Sequence, residues 1–341
     1  MINFIPDFKP ETSLRRRLKA YLNRVNQIDV ELRDKPEEWG RYQSEFNQEV
    51  NSVFRDLMIF EKENVLAGNE SRVYKLKRFF TENLRDVFVR GKCLKQSLLK
   101  PYGYAGDFEI INDIYVNEPQ TQGLDLLYDN YFQMSSICHA VRNRKRDFQN
   151  FFISKVNEKK GQGVNVLDLA SGPCRDVFEV MSGPVKDNKQ VKLYCFDADE
   201  NAVAYGKNLF AGDSRIEFRK YNAVRIALMK NIQETVPERF DLIFSTGLFD
   251  YLDDKITVRL IKNLGKLLKP DGVLAISDVR DKFSNPSIYF MEWVADWNLI
   301  YRGDDEFREL FVEAGYNRAN LKFRYEQQGM FQYVLARGPI S

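Results

Sequence analysis

The chain has 341 residues, enough for two domains or for one domain with a large appendage. Hydrophobic residues make up 44% and charged residues 29%, and 51 basic side chains stand against 49 acidic ones, so a packed soluble globule is expected. A net charge of +2 gives no reason to expect nucleic acid or a charged membrane surface as partner, and no apolar run reaches the roughly 18 residues of a membrane span.

Residues 1 to about 140 read as helical. Leu14-Arg-Arg-Arg-Leu-Lys-Ala-Tyr-Leu22 and the stretch from Trp39 to Phe60 repeat apolar residues every three or four positions, with charges on the other faces. The N-terminal Met1-Ile-Asn-Phe-Ile-Pro-Asp7 lacks the charged start and long apolar core of a signal peptide, which sets the expectation of a cytoplasmic protein. Lys100-Pro-Tyr-Gly-Tyr-Ala-Gly-Asp-Phe108 breaks the helical pattern and predicts a loop. The four cysteines are scattered without a Cys-x-x-Cys pair, so neither a disulfide framework nor a zinc site is expected. One histidine, His139, does not make a histidine-rich metal centre or a conventional triad. From Val141 to Lys160 a basic amphipathic helix leads into the second half.

From residue 164 onward strands and helices alternate. Strands are expected at 164–170, 191–197, 215–220, 240–246, 272–278, 320–326 and 330–337, and helices near 174–182, 200–209, 254–267 and 304–315. Such alternation predicts an α/β, doubly wound, mostly parallel sheet covered on both faces. Gln327-Gln328-Gly329 suits a hairpin, which turns the last strand antiparallel at one edge. After the fifth strand, Asn285 to Arg302 form an aromatic-rich insertion, helical after Pro286. The expected domains are therefore a helical one over 1–140 and an α/β one over 141–341.

Val164-Asn-Val-Leu-Asp-Leu-Ala-Ser-Gly-Pro-Cys-Arg-Asp176 reads as a buried strand, a turn of small residues and a helix start. The next strand, Val191-Lys-Leu-Tyr-Cys-Phe-Asp197, ends on an acid placed to accept hydrogen bonds from a ribose diol. Ala170 stands where a dinucleotide fingerprint has its first glycine, and only Gly172 is kept. Asp-Leu-Ala-Ser-Gly-Pro resembles the first motif of class I S-adenosylmethionine-dependent methyltransferases, whose ligand carries a sulfonium and no pyrophosphate. That resemblance implies a Rossmann-like seven-stranded sheet and gives the residues their expected roles. Asp168 reaches the methionine ammonium, and the backbone of Ala170, Ser171 and Gly172 approaches the cofactor. Asp197, with Asp199 as a second candidate, takes the ribose hydroxyls. Asn222, followed by Ala223, reads the adenine edge. The fourth strand ends at Thr246 and runs into Gly247-Leu-Phe-Asp-Tyr-Leu252, which makes Asp250 and Tyr251 candidates beside the transferable methyl. Asp250 equally suits a cap for the helix near 254.

Four further motifs occur in order: Pro101-Tyr-Gly-Tyr-Ala-Gly-Asp107, Ala140-Val-Arg-Asn-Arg144, Gly247 to Leu252, and Met291-Glu-Trp-Val-Ala-Asp-Trp-Asn-Leu-Ile-Tyr-Arg302. Together they resemble the bacterial family named for biosynthesis of the 3-hydroxypalmitic acid methyl ester signal, over roughly residues 75 to 335. The chain departs from that family with Ser171 in the first turn and with Ser277-Asp-Val279 after the fifth strand. The resemblance implies that Tyr104 and Asp107 come from a lid loop. It also implies that Arg142 and Arg144 start the linking helix, as arginines do in chemotaxis-receptor glutamate methyltransferases. Such an arginine pairs with the cofactor carboxylate or with an acidic acceptor. Glu292 and Arg302 are further candidates, Arg302 as an anchor for a carboxylate. Trp293, Trp297 and Tyr301 suit either the site or plain core.

The expected reaction is O-methylation of a carboxylic acid, with a hydroxy fatty acid as one candidate acceptor. A carboxylate is ionised near neutral pH and needs no base. A phenol, hydroxyl or amine acceptor would want one, with Asp250, Glu292 or Asp107 in that role. A catalytically silent cofactor-binding protein is the remaining alternative. Expected partners are a small acidic acceptor, no nucleic acid and no stable membrane insertion; self-association is left open.

Overall fold

A computed structural model describes residues 12–340. The N-terminal Met1 to Asp7 segment lies outside them. The chain forms two compact units. Among the described residues, one gathers 12–139 together with 282–298, and the other contains 140–281 and 299–340.

The first unit is helical. Its elements are α1 (Thr12–Asp34), α2 (Gln43–Leu66), α3 (Glu70–Asn83), α4 (Arg85–Phe88), α5 (Gly91–Leu99), α6 (Phe108–Val116) and α7 (Gly123–Met134). Apolar stripes at helical spacing bury Phe46, Val50, Phe54 and Leu57 on α2 and Val73, Leu76 and Phe80 on α3. The insertion predicted after the fifth strand belongs with this unit rather than with the sheet's own domain. It carries α14 (Pro286–Ala295), which starts on Pro286 and is capped by Asn285, whose side chain accepts from Ser287 N at 2.9 Å. Aromatics decide where it packs. Phe290 lies edge-on to Phe54 and Tyr131, with ring centroids 5.1 and 4.7 Å away, and Trp293 lies edge-on to Phe80 at 5.5 Å. Trp293 and Trp297 are both buried. Trp293 lies on α14, whereas Trp297 follows its C-cap Asp296, so their four-residue spacing is not that of one helix face.

The second unit begins along α8 (Ser136–Glu158) and holds a seven-stranded sheet. The strands are β1 (Val164–Leu169), β2 (Val191–Asp197), β3 (Ile216–Lys220), β4 (Phe240–Ser245), β5 (Leu268–Val279), β6 (Leu321–Tyr325) and β7 (Phe331–Arg337). Their order is β3-β2-β1-β4-β5-β7-β6. β1 to β5 pair in parallel, and β7 runs antiparallel to both β5 and β6. The expected antiparallel last strand is present, but it lies one place in from the edge. Side chains explain this: β7 is almost wholly buried, whereas β6 exposes Lys322, Arg324 and Tyr325 and suits an edge. Between the strands lie α9 (Arg175–Ser182), α10 (Glu200–Leu209), α11 (Ala223–Leu228), α12 (Ile232–Thr235), α13 (Asp254–Gly265) and α15 (Asp304–Ala314). β1, β2, β4 and β5 are parallel, so Leu169, Asp197, Ser245 and Val279 all end at the same edge of the sheet, where open α/β sheets bind ligands.

Candidate functional site

The turn after β1 is built on left-handed backbone. Ala170, Gly172 and Cys174 have φ of 57°, 52° and 53°. Glycine adopts this region freely, whereas alanine pays on the order of 1 kcal/mol for it. Ala170 N and Ser171 N both donate to Phe196 O, at 2.7 and 3.3 Å, and tie the turn to the end of β2. A side chain on Gly172 would meet no atom within 4 Å, so its conformation, not its surroundings, calls for glycine.

Asp197 braces this turn from β2. Its Oδ2 accepts from Gly172 N and its Oδ1 from Asp199 N, both at 2.8 Å. Burial pushes its carboxyl up, and the two N–H groups oppose that. Asp168, at the end of β1, is 1% exposed, and its Oδ2 has no hydrogen-bond partner among the described residues. Burial first, then the neighbouring Asp176, hold the Asp168 carboxyl well above the usual range. Asp176, in the first turn of α9, is raised to about 6, again mainly by burial, although it accepts from Val177 N at 2.9 Å. Asp176 was not among the residues expected from sequence; its signal was an acid in the first helical turn directly after the small-residue loop. Two buried carboxyls side by side, one with an orphaned oxygen, form a receptor for a cation.

The other expected cofactor residues sit around the same sheet edge with more local duties. Asp199 caps α10 by accepting from Asn201 N at 2.8 Å. Asn222 is exposed, and its Oδ1 caps α11 by accepting from Val224 N at 2.9 Å and Arg225 N at 3.2 Å. Ala223 is buried as the first residue of α11. Thr246 is buried after β4, and its carbonyl accepts from Ser277 Oγ at 2.6 Å. Arg142 is half-buried on α8.

A second group gathers beyond β4 and β5. Arg144 on α8 is 4% exposed. Its guanidinium carbon lies 4.2 Å from the centre of the Phe331 ring, and its Nε has no hydrogen-bond partner among the described residues. A Cβ on residue 247 would come within 3.3 Å of Arg144 Nη2, so Gly247 leaves room for this guanidinium. Asp250 lies in the following 3₁₀ turn, Phe249–Tyr251, and is buried with an unpartnered Oδ1. Burial raises its carboxyl to about 6, against the pull of Arg144 and then of Arg302. Asp250 does not cap the next helix: Asp253 does, accepting from Ile256 N at 2.8 Å. Tyr251, the neighbour, is 41% exposed.

Arg302 does not present a free guanidinium for a substrate carboxylate. It is buried, and its donors go to Asp254, Asp278 and the carbonyls of Phe249 and Leu252. Tyr104, Asp107 and Glu292 belong to the helical unit. Tyr104 is half-buried in the turn after α5. Asp107 is fully buried and caps α6, accepting from Ile110 N at 3.0 Å and from Gln96 Nε2 at 2.9 Å. Glu292 is buried and pairs with Lys282 at 2.7 Å, and Lys282 also reaches Glu61 at 2.8 Å. The side chains of Asp107 and Glu292 are thus spent within their own unit. No group of His, Cys, Asp and Glu suited to a metal occurs among the described residues, and no helix there is long and apolar enough to cross a membrane.

Residues 160–315 match a family model described as a methyltransferase domain. The span runs from just before β1 to the end of α15; it takes in Asp168, Asp197 and Asp250 and leaves out Arg144 and Phe331. Sheet and match agree on this span: residues 160–315 are similar to a methyltransferase domain. Among solved structures the chain is similar to a possible exported protein from Bordetella parapertussis, at 20% identity and a TM-score of 0.55, covering 72% of this chain and 86% of that one. It is also similar to the magnesium protoporphyrin IX methyltransferase of Synechocystis PCC 6803 with bound S-adenosylmethionine, at 12% identity and a TM-score of 0.46, covering 72% and 97%. An N-methyltransferase of Bradyrhizobium japonicum WM9 matches at 16% identity and a TM-score of 0.39, covering 57% and 97%. No curated protein matches the chain significantly.

Proposed function

We propose that the chain transfers a methyl group from S-adenosylmethionine to a carboxylate oxygen of a small organic acid, giving a methyl ester. Hydroxy fatty acids belong to that acceptor class. The carrying observation is Arg144, a buried guanidinium whose Nε lacks a hydrogen-bond partner among the described residues. Burying such a charge costs several kcal/mol unless an anion completes it. Stacked on Phe331 beside Gly247, it is a receptor for a planar carboxylate.

The residues after β1 and β2 fit the methyl donor. The orphaned Oδ2 of Asp168, backed by Asp176, suits an ammonium. Each Asp197 oxygen keeps a lone pair beyond its main-chain bond and suits one ribose hydroxyl. S-Adenosylmethionine supplies a methyl group activated by a sulfonium. One O–C bond forms and one C–S bond breaks with its electron pair left on sulfur, so the carboxylate and sulfonium charges cancel and no proton moves. Arg144 then aligns the acceptor and shields it from water. Alignment of this kind supplies about 7–11 kcal/mol of barrier lowering.

A second reading rests on Asp250. A buried carboxylate with a free oxygen and a pKa of about 6 has the properties of a general base for a hydroxyl acceptor. The two are separated by product chemistry. The protein is incubated with methyl-labelled donor and a panel of aliphatic acids, 3-hydroxy acids included. Label released by mild alkali supports the ester; a base-stable ether or N-methyl product refutes it.

A further inference from the structure

Arg302 grips the turn that carries Asp250. Its Nε donates to Asp254 Oδ1 at 2.8 Å, and its Nη1 donates to Phe249 O at 3.0 Å and Asp278 Oδ2 at 3.3 Å. Nη2 donates to Leu252 O. The two carbonyls stand on either side of Asp250 and Tyr251. The main chain of Arg302 is itself fixed: its N–H donates to Val279 O at 3.3 Å, and Gln332 Nε2 donates to its carbonyl at 2.8 Å. Two residues earlier, Ile300 N donates to Asp250 O at 2.8 Å. The segment returning from the insertion therefore clamps both shoulders of the turn and the carbonyl of Asp250, and it ties them to β5 and β7. Only the rigid fork of an arginine spans this set; a lysine brings one point charge with three rotatable donors.

We infer that Arg302 is a positioning residue for methyl transfer, one that holds the Phe249–Leu252 turn so that Asp250 stays at the Arg144 end of the site. The inference rests on the methyl-transfer reading of that site. Arg302 touches neither donor nor acceptor, and it acts through Asp250. A residue that served stability alone would lower activity by the same factor whether or not Asp250 were present.

The test is a double-mutant cycle with two further readouts. Arg302→Lys is made in wild type and in Asp250→Asn. S-Adenosylhomocysteine affinity is measured by calorimetry, and the Asp250 carboxyl is titrated by carbon-13 NMR, assigned by its loss in Asp250→Asn. In wild type, Arg302→Lys is expected to lower kcat/KM by about tenfold or more, to leave donor-product affinity within about twofold and to displace the Asp250 midpoint. In the Asp250→Asn background the same change is expected to cost less than about twofold. An equal loss in both backgrounds with an unmoved midpoint overturns the inference. If Arg302→Lys does not fold, Asp254→Asn removes one anchor from a carboxylate whose side chain is 71% exposed, and the same comparison applies. A wild-type protein that binds no S-adenosylhomocysteine sinks the methyl-transfer reading, whereas the midpoint displacement still decides the positioning role.

Discussion

Asp197 has two tasks that one substitution removes together. It braces Gly172 and Asp199 through their N–H groups and keeps lone pairs for a ribose. Asp197→Ala is therefore expected to weaken S-adenosylhomocysteine binding by roughly 2–4 kcal/mol, measured by calorimetry. Wild-type affinity in a folded variant removes the assignment. The pH profile tests the acceptor. A carboxylate that met no titrating group would react equally from about pH 6 to 9. Here Asp250 titrates at about 6 beside Arg144. Once ionised it competes with an acidic acceptor for the arginine's charge. With a carboxylic acid, kcat/KM is expected to fall as pH rises through about 6, and Asp250→Asn is expected to flatten the profile. A rise through the same pH marks Asp250 as a base and the hydroxyl reading as right. Asp168 and Asp197 were legible as site candidates because each is an acid at the tip of a buried strand. The duties of Arg302 and Glu292 were not. Arg302 bonds residues 24 to 53 positions away, and Glu292 shares Lys282 with Glu61, distances that periodicity does not report.

At the scale of elements, short polar side chains at helix starts explain much of the local structure. Asp107, Asp199, Asn222, Asp253 and Asn285 each accept a main-chain N–H of the helix they precede. Asn222 is expected to read the adenine edge and also caps α11, and a test separates the two roles. Asn222→Asp is expected to preserve stability in urea, and Asn222→Ala to lose about 1 kcal/mol. A donor-affinity loss larger than the stability loss supports the adenine role. Buried apolar runs made β1, β2, β4 and β7 readable, whereas the edge strands β3 and β6 are short and expose Glu217, Lys220, Lys322 and Arg324. β5 starts earlier than expected, at Leu268, because Pro270-Asp271-Gly272 look like a turn in sequence. They form an irregular strand entry, where a side chain on residue 272 would come within 2.7 Å of Phe240 O. The short helices α11 and α12 offer too few residues for a helical period to show.

Across the whole molecule, the site is paid for in stability. Asp250 is raised from 3.8 to about 6 on folding, so the folded state holds its proton more tightly. Its contribution is fully present below the unfolded pKa and is lost as pH rises through about 6; the difference is about 3 kcal/mol. Asp250→Asn does not titrate. Relative to wild type it is expected to gain up to about 3 kcal/mol between pH 4 and pH 8, read from urea midpoints. An advantage that is the same at both pH values contradicts the raised carboxyl. The first unit ends at His139, inside α8, and the membership of 282–298 in it follows from the packing of Phe290 and Trp293 and from the Lys282–Glu61 pair.

That membership sets an order of events during synthesis. Phe290 lies edge-on to Phe54 and Tyr131, and Trp293 lies edge-on to Phe80. Both emerge from the ribosome only after β1 to β5 have been made. The N-terminal helices must therefore wait, with an apolar groove unfilled, while some 150 residues of another unit are translated. A nascent chain of this design completes neither unit early: the helical unit waits for α14, and the sheet waits for β6 and β7, which are made later still.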